Sequence, residues 1–63
     1  MTNKIKLYRK QLNLTQEDVS KKLNVTRQTI NAIENNKYNP SLELAIKLSR
    51  LLNIQVEELF DLD

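Results

Sequence analysis

The sequence predicts an all-α fold, a compact domain of five short helices. Apolar residues recur at helical spacing along almost the whole chain, and no segment shows the strict alternation of a half-buried strand. Residues that commonly cap helices stand where these apolar repeats begin and end. With 63 residues there is room for one domain, residues 1-63, which must be stabilised by closely packed helices or by a partner subunit.

Each predicted helix is marked by a group of apolar residues. In chain order the groups are Ile5, Tyr8 and Leu12; Val19 and Leu23; Ile30 and Ile33; Leu42, Ala45, Leu48 and Leu52; and Val56, Leu59 and Phe60. Four helices are preceded by residues that can accept hydrogen bonds from free backbone N–H groups. These are Thr15, with Asp18 three residues on; Thr26; Ser41, after Pro40; and Gln55, with Glu58 three residues on.

Asparagine is predicted to form the helix ends, because the chain contains no glycine. Helices commonly end on a residue with positive φ, and Asn adopts this conformation more readily than most other residues. Asparagines follow the predicted helices at Asn13, Asn24, Asn36 and Asn53.

The composition excludes several classes of function. Without Cys or His the chain has no disulfide, no thiolate nucleophile and none of the usual zinc ligand sets, so we expect no metal and no cofactor. Its carboxylates are scattered and it has no glycine loop for phosphates, so we expect no enzyme. No segment resembles a signal peptide or approaches the roughly 20 apolar residues of a membrane span. We therefore expect a cytoplasmic protein with no membrane partner and no small-molecule ligand.

The charge is unevenly distributed. Residues 1–40 carry eight Lys or Arg against three acidic residues, a balance of +5, whereas residues 41–63 carry two against five, a balance of −3. Two ordinary solvated helix faces would produce this split, and so would a phosphate-facing end with an acidic end turned away.

The apolar residues divide into an expected core and a surplus. The core is expected to contain Ile5, Tyr8, Leu12, Leu14, Val19, Leu23, Ile30, Ile33, Leu42, Ala45, Leu48, Leu52, Leu59 and Phe60. The surplus is Leu7, Leu44, Leu51, Ile54, Val56 and Leu62. Scattered exposed leucines are normal, but most of the surplus lies in the last third of the chain. This indicates a homodimer with Leu51, Ile54, Val56 and Leu62 at its interface.

The predicted third helix has two faces with opposite properties. Ile30 and Ile33 point one way, whereas Arg27, Gln28, Asn31 and Ala32 point another. A helix that is buried on one side and carries hydrogen-bonding side chains on the other suits the major groove of DNA.

Residues 14 to 34 contain Gln16, the apolar Val19, Leu23, Val25, Ile30 and Ile33, and the small Ser20. At these positions the segment resembles the helix-turn-helix motif of the phage lambda Cro and repressor family, also called xenobiotic response element-like regulators, and the likeness extends from Ile5 to Phe60. Asn24 departs from the family's usual Gly. The segment VTRQTINAIENNKYNPSLELA is most similar to small single-domain bacterial and phage regulators. The resemblance implies a lambda-repressor-like fold, with a helix-turn-helix at helices 2 and 3, and sequence-specific binding of double-stranded DNA.

If the third helix enters the major groove, its first turn faces the base edges, and roles can be predicted for individual residues. Base reading falls to Arg27, with guanine, Gln28, with adenine, Asn31, and Ala32, with a thymine methyl. The predicted phosphate contacts are Gln16, Thr26, Thr29, Asn35, Lys37, Tyr38 and Asn39. Three alternatives stay open: Gln16 and Thr26 are capping residues only, Lys37 and Asn39 form an ordinary polar loop, or Arg27 and Gln28 belong to a solvated face.

Arg9 and Glu34 are expected to form a structural ion pair. Both adjoin buried positions, and long charged side chains rarely point inward unless they are paired. The family assigns this pair to a link between the first and third helices.

The whole pattern indicates a transcription regulator, most simply a dimeric repressor on a palindromic operator. The alternative is an antitoxin or protein-interaction module of the same fold.

Overall fold

The computed structural model describes residues 1–62, and its elements confirm the five predicted helices. In chain order they are β1 (Thr2–Asn3), α1 (Ile5–Gln11), α2 (Gln16–Leu23), α3 (Arg27–Glu34), α4 (Leu42–Leu52), α5 (Val56–Leu59) and β2 (Phe60–Asp61). The contribution of Asp63 to the predicted charge balance lies outside the described residues.

A pair of very short strands is the one element that the sequence did not predict. The strands β1 and β2 pair antiparallel, with Thr2 opposite Asp61 and Asn3 opposite Phe60. Phe60 was expected to lie in the last helix and instead begins β2. A strand of two residues is too short to show alternation, and its pairing depends on the fold bringing the two ends of the chain together.

Three of the four predicted caps form. The Thr15 hydroxyl accepts a hydrogen bond from the N–H of Asp18, and the Asp18 carboxylate accepts one from the N–H of Thr15. The Thr15 backbone N–H, and then the Thr15 hydroxyl, hold the pKa of Asp18 below its ordinary value of 3.8. Thr26 and Ser41 cap α3 and α4. Gln55 precedes α5 but makes no side-chain cap, so this prediction was wrong.

All four asparagines adopt the predicted left-handed conformation, with φ between 57° and 61°. At each one, two backbone N–H groups bond back to the last turn of the helix. At Asn24, for example, its own N–H reaches the Lys21 carbonyl and the Val25 N–H reaches the Ser20 carbonyl. These are Schellman turns, in which the residue after the positive-φ position usually packs against the helix.

The core lies between all five helices, and three apolar residues were assigned wrongly between the core and the surplus. The six most deeply buried side chains are Ile5, Val19, Ile30, Ile33, Leu48 and Leu59. Leu12 and Leu42 were expected in the core but are 48% and 74% exposed. Leu44 was expected in the surplus but is buried. Leu42 and Leu44 are two residues apart, so the turn of α4 places them about 200° apart around the helix axis.

Candidate nucleic-acid interface

The helices α2 and α3 pack together as one unit. Val19 and Ser20 of α2 are buried, and the Ser20 hydroxyl donates to the Glu17 carbonyl at 2.8 Å, which satisfies it within its own helix. Ile30 and Ile33 of α3 are each 1% exposed. The orientation of α3 against the protein is therefore determined by its two isoleucines.

The opposite side of α3 faces solvent. Arg27, Gln28 and Asn31 are exposed, and Ala32 and Thr29 are half-buried at the edge of this face. The polar side chains on which base reading would depend are accessible to a duplex.

The amino end of α3 carries no compensating acid. Thr26 caps it by accepting from the Thr29 N–H at 3.1 Å, and the hydroxyls of Thr26 and Thr29 lie 2.8 Å apart. The first turn contains no acidic residue, and it begins with Arg27. The positive end of the helix dipole and a guanidinium therefore lie together, an arrangement that favours an anion.

Arg9 and Glu34 form a buried, two-point ion pair. Arg9 Nε and Nη2 donate to the two oxygens of Glu34 at 2.8 and 3.1 Å, and the side chains are only 9% and 3% exposed. Arg9 Nη1 also donates to the Leu14 carbonyl at 2.8 Å. The pair ties α1 and the segment before α2 to the carboxyl end of α3.

Gln16 is half-buried, and its amide lies between Glu34 and the exposed face of α3. Gln16 Nε2 donates to Glu34 Oε1 at 3.1 Å, and Gln16 Oε1 accepts from Asn31 Nδ2 at 3.3 Å. The cap of α2 is Thr15, so Gln16 is not a capping residue.

The loop after α3 is exposed and is anchored by a residue that the sequence did not single out. Its predicted phosphate-contacting residues, all exposed, are Asn35, Lys37, Tyr38 and Asn39. Asn3 Nδ2 donates to the Ile33 carbonyl at 2.8 Å and to Asn36 Oδ1 at 3.3 Å. These contacts join residues 30 and 33 positions apart, and no local pattern in the sequence signals them.

The four residues predicted at a dimer interface fall into two groups. Leu51 and Ile54 are half-buried and pack against the core. Val56 and Leu62 instead line an apolar groove of about 410 Å³, and Leu62 is 85% exposed. The groove is completed by Met1, Pro40, Leu42, Ala45, Glu57 and Phe60.

Over residues 1–62, no helix combines the length and the hydropathy that a bilayer span requires. In the same part of the chain, no three His, Cys, Asp or Glu residues are grouped so that they could hold a metal ion.

A family model described as helix-turn-helix matches residues 5–59 of the chain. The matched region includes all five helices and the whole exposed face of α3. The chain therefore belongs to this Cro/C1-type helix-turn-helix family, which comprises DNA-binding regulators and not enzymes.

Curated relatives align with nearly the whole chain. An uncharacterized HTH-type transcriptional regulator of Methanocaldococcus jannaschii is 55% identical over 60 residues, which are 95% of this chain and 91% of that protein. A second, of Archaeoglobus fulgidus, is 44% identical over all of this chain and 89% of its own length. The YgzD regulator of Bacillus subtilis is 40% identical over all of this chain and 96% of its own length. This protein is thus similar throughout to small HTH-type regulators.

Proposed function

We propose that this protein is a homodimeric, cytoplasmic transcriptional repressor that reads a palindromic operator with α3 in the major groove. The observation that carries the proposal is the two-sided α3, with buried isoleucines behind and Arg27, Gln28 and Asn31 exposed in front. Repression is proposed to result from occupation of promoter DNA by this helix-turn-helix domain.

Base reading is assigned to the exposed face of α3. The guanidinium of Arg27 can donate two hydrogen bonds to O6 and N7 of guanine, and the Gln28 amide can pair with N6 and N7 of adenine. Asn31 lies one turn further along and has the same amide chemistry. Ala32 is half-buried, so its methyl group would contact a thymine methyl only at the edge of the face.

Phosphate contacts are assigned to both sides of α3, with Lys37 as the main cation. Three of the four Schellman turns are followed by apolar residues that pack on the core, namely Leu14, Val25 and Ile54. The fourth turn, at Asn36, is followed instead by the exposed Lys37. A lysine gives up the packing that stabilises such a turn, which supports a role in binding for its charge. The remaining phosphate contacts are proposed at Gln16, Thr26, Thr29, Asn35, Tyr38 and Asn39.

The dimer contact is assigned to the apolar groove. Leu62 and Leu42 are the most exposed large apolar side chains of the described residues, and both line it together with Val56. Projecting leucines beside a groove allow a self-complementary, two-fold contact between identical surfaces. Leu51 and Ile54 would support this surface from the core side. Two α3 helices about 34 Å apart would then meet successive major grooves of a palindromic site.

Separate substitutions should distinguish base reading from phosphate binding on a duplex selected from a random library. We expect Arg27→Ala to weaken binding to the selected site roughly 5- to 150-fold and to relax its preference at a guanine, since a bidentate pair is worth about 1–3 kcal/mol. Lys37→Ala should weaken binding to all sequences and reduce the logarithmic salt slope by about one unit. The measurement is titration of labelled duplexes at several salt concentrations.

The control for these two variants is Arg50→Ala. Arg50 is an exposed cation in the last turn of α4, and it lines a surface pocket within residues 49–55 that includes no residue of α3 or of the loop after it, so its loss should leave both preference and slope unchanged. If Arg27→Ala retains full affinity and full preference, α3 is not the reading helix.

The dimer is tested by placing charge at the groove. Leu42→Lys combined with Leu62→Lys should convert a dimer to a monomer in sedimentation at micromolar concentration, because each buried leucine contributes about 1.5–3 kcal/mol. Leu7→Lys is the matched control, since Leu7 is 53% exposed on α1 and does not line the groove. A wild-type chain that stays monomeric with and without DNA would contradict the proposal. A groove that binds another protein while the dimer persists would support the antitoxin or interaction module instead.

A further inference from the structure

A directional chain of hydrogen bonds runs from the buried ion pair to the exposed face of α3. Arg9 donates to Glu34, Gln16 Nε2 donates to Glu34 Oε1 at 3.1 Å, and Asn31 Nδ2 donates to Gln16 Oε1 at 3.3 Å. This series of hydrogen bonds ends where Asn35 Nδ2 donates to Asn31 Oδ1 at 3.2 Å. It connects a side chain that is 3% exposed with one that faces solvent.

The direction of this chain is determined by the carboxylate at its buried end. A carboxylate paired with a guanidinium only accepts hydrogen bonds, so Gln16 must turn its NH₂ group toward Glu34. The Gln16 oxygen then points outward, and an oxygen only accepts. Asn31 must therefore turn its own NH₂ group toward Gln16, which leaves Oδ1 on the side of Asn35.

Each polar atom of the Asn31 amide still has capacity for one more bond. Nδ2 has two hydrogens, of which Gln16 takes one, and Oδ1 has two lone pairs, of which Asn35 takes one. Adenine offers one acceptor, N7, and one donor, N6, in the major groove. An amide whose two ends are already oriented by the protein can meet both atoms without first losing rotational freedom.

We infer that Gln16 is a positioning residue, which holds the Asn31 amide in the orientation that reads adenine. This inference rests on the proposed function and adds a specificity determinant to it. It is separate from any phosphate contact of Gln16, because it concerns which base is preferred and not how tightly DNA is held. Specificity at the position contacted by Asn31 then depends on a side chain of α2 that touches no base.

Two substitutions at Gln16 separate positioning from phosphate binding. Gln16→Lys keeps a donor for Glu34 and adds a positive charge, but it offers Asn31 no acceptor, so the Asn31 amide loses its orientation or reverses it. Gln16→Met removes both hydrogen bonds at similar volume. We expect both variants to reduce the preference for adenine at the position read by Asn31 by about 5-fold or more. Gln16→Lys should do so while keeping or raising affinity for unrelated duplexes.

The decisive measurement is a double-mutant cycle with Asn31→Ala on duplexes that differ at one base pair. Gln16→Lys and Gln16→Met should change the base preference in the wild-type background and leave it unchanged in the Asn31→Ala background. Thermal melting of each variant ensures that folded protein is compared.

Three outcomes would overturn the inference. They are full adenine preference in the Gln16→Lys variant, an equal change of preference with and without Asn31, and no effect of Asn31→Ala on preference in the first place. Failure of the proposed function has a different signature, since the wild-type chain would then select no duplex at all.

Discussion

Glu34→Ala is expected to lower the free energy of unfolding by about 3–5 kcal/mol, because it leaves the Arg9 guanidinium buried without its partner. The Arg9 side chain is 9% exposed, and Glu34 accepts from both its Nε and its Nη2. A domain of this size has a total stability of roughly 3–9 kcal/mol, so the variant should melt at a much lower temperature and bind DNA weakly at 37 °C. Thermal and urea unfolding measure the loss.

Two further variants keep this prediction falsifiable if Glu34→Ala does not fold. The Arg9→Met and Glu34→Leu pair replaces both charges with apolar groups and should regain most of the lost stability. Glu43→Ala is the matched control, since Glu43 pairs with Lys47 at 3.4 Å but the side chains are 78% and 52% exposed. It should cost only a few tenths of a kcal/mol. A Glu34→Ala variant of normal stability that no longer binds DNA would show that Glu34 acts in binding and not in folding.

Leu48→Ala is expected to lower the free energy of unfolding by about 2–5 kcal/mol, the range for removing a fully buried leucine. Leu48 is completely buried on α4, where it joins the core cluster with Ile30, Ile33 and Leu59. The loss combines the apolar area returned to water with the cavity left behind. Urea unfolding should show a lower midpoint with an unchanged slope.

Leu42→Ala is the control on the same helix with the same chemical change. Leu42 is the first residue of α4 and is 74% exposed, so its truncation should change the stability of the folded monomer by less than about 0.5 kcal/mol. Similar losses for the two leucines at protein concentrations below dimerisation would mean that the packing of α4 differs from that described here.

Local signals in the sequence predicted the helices and their ends. Thr15, Thr26 and Ser41 cap the helices they precede because a cap depends only on residues within one turn. The four asparagines adopt positive φ for the same reason, since a chain without glycine leaves few other residues for that conformation. Gln55 failed as a cap because a Gln side chain is longer than the short side chains that usually reach the N–H of the first turn.

Local signals could not predict which leucines of α4 would be buried. Residues 42, 44 and 48 are all leucine, and apolar residues occur around much of the circumference of this helix. The helices packed against α4 decide which side turns inward, and that choice exposes Leu42 and buries Leu44. The strands β1 and β2 were missed for a related reason, because their pairing joins the two ends of the chain.

The sequence by itself determined the helical class, the helix-turn-helix and the two-sided pattern of α3, because each depends on spacing within a few residues. The tertiary structure alone decided that Gln16 would lie between Glu34 and Asn31, 18 and 15 positions away along the chain. Hydrogen bonds are directional and act over about 3 Å, so a contact between two helices exists only after packing has brought their side chains together.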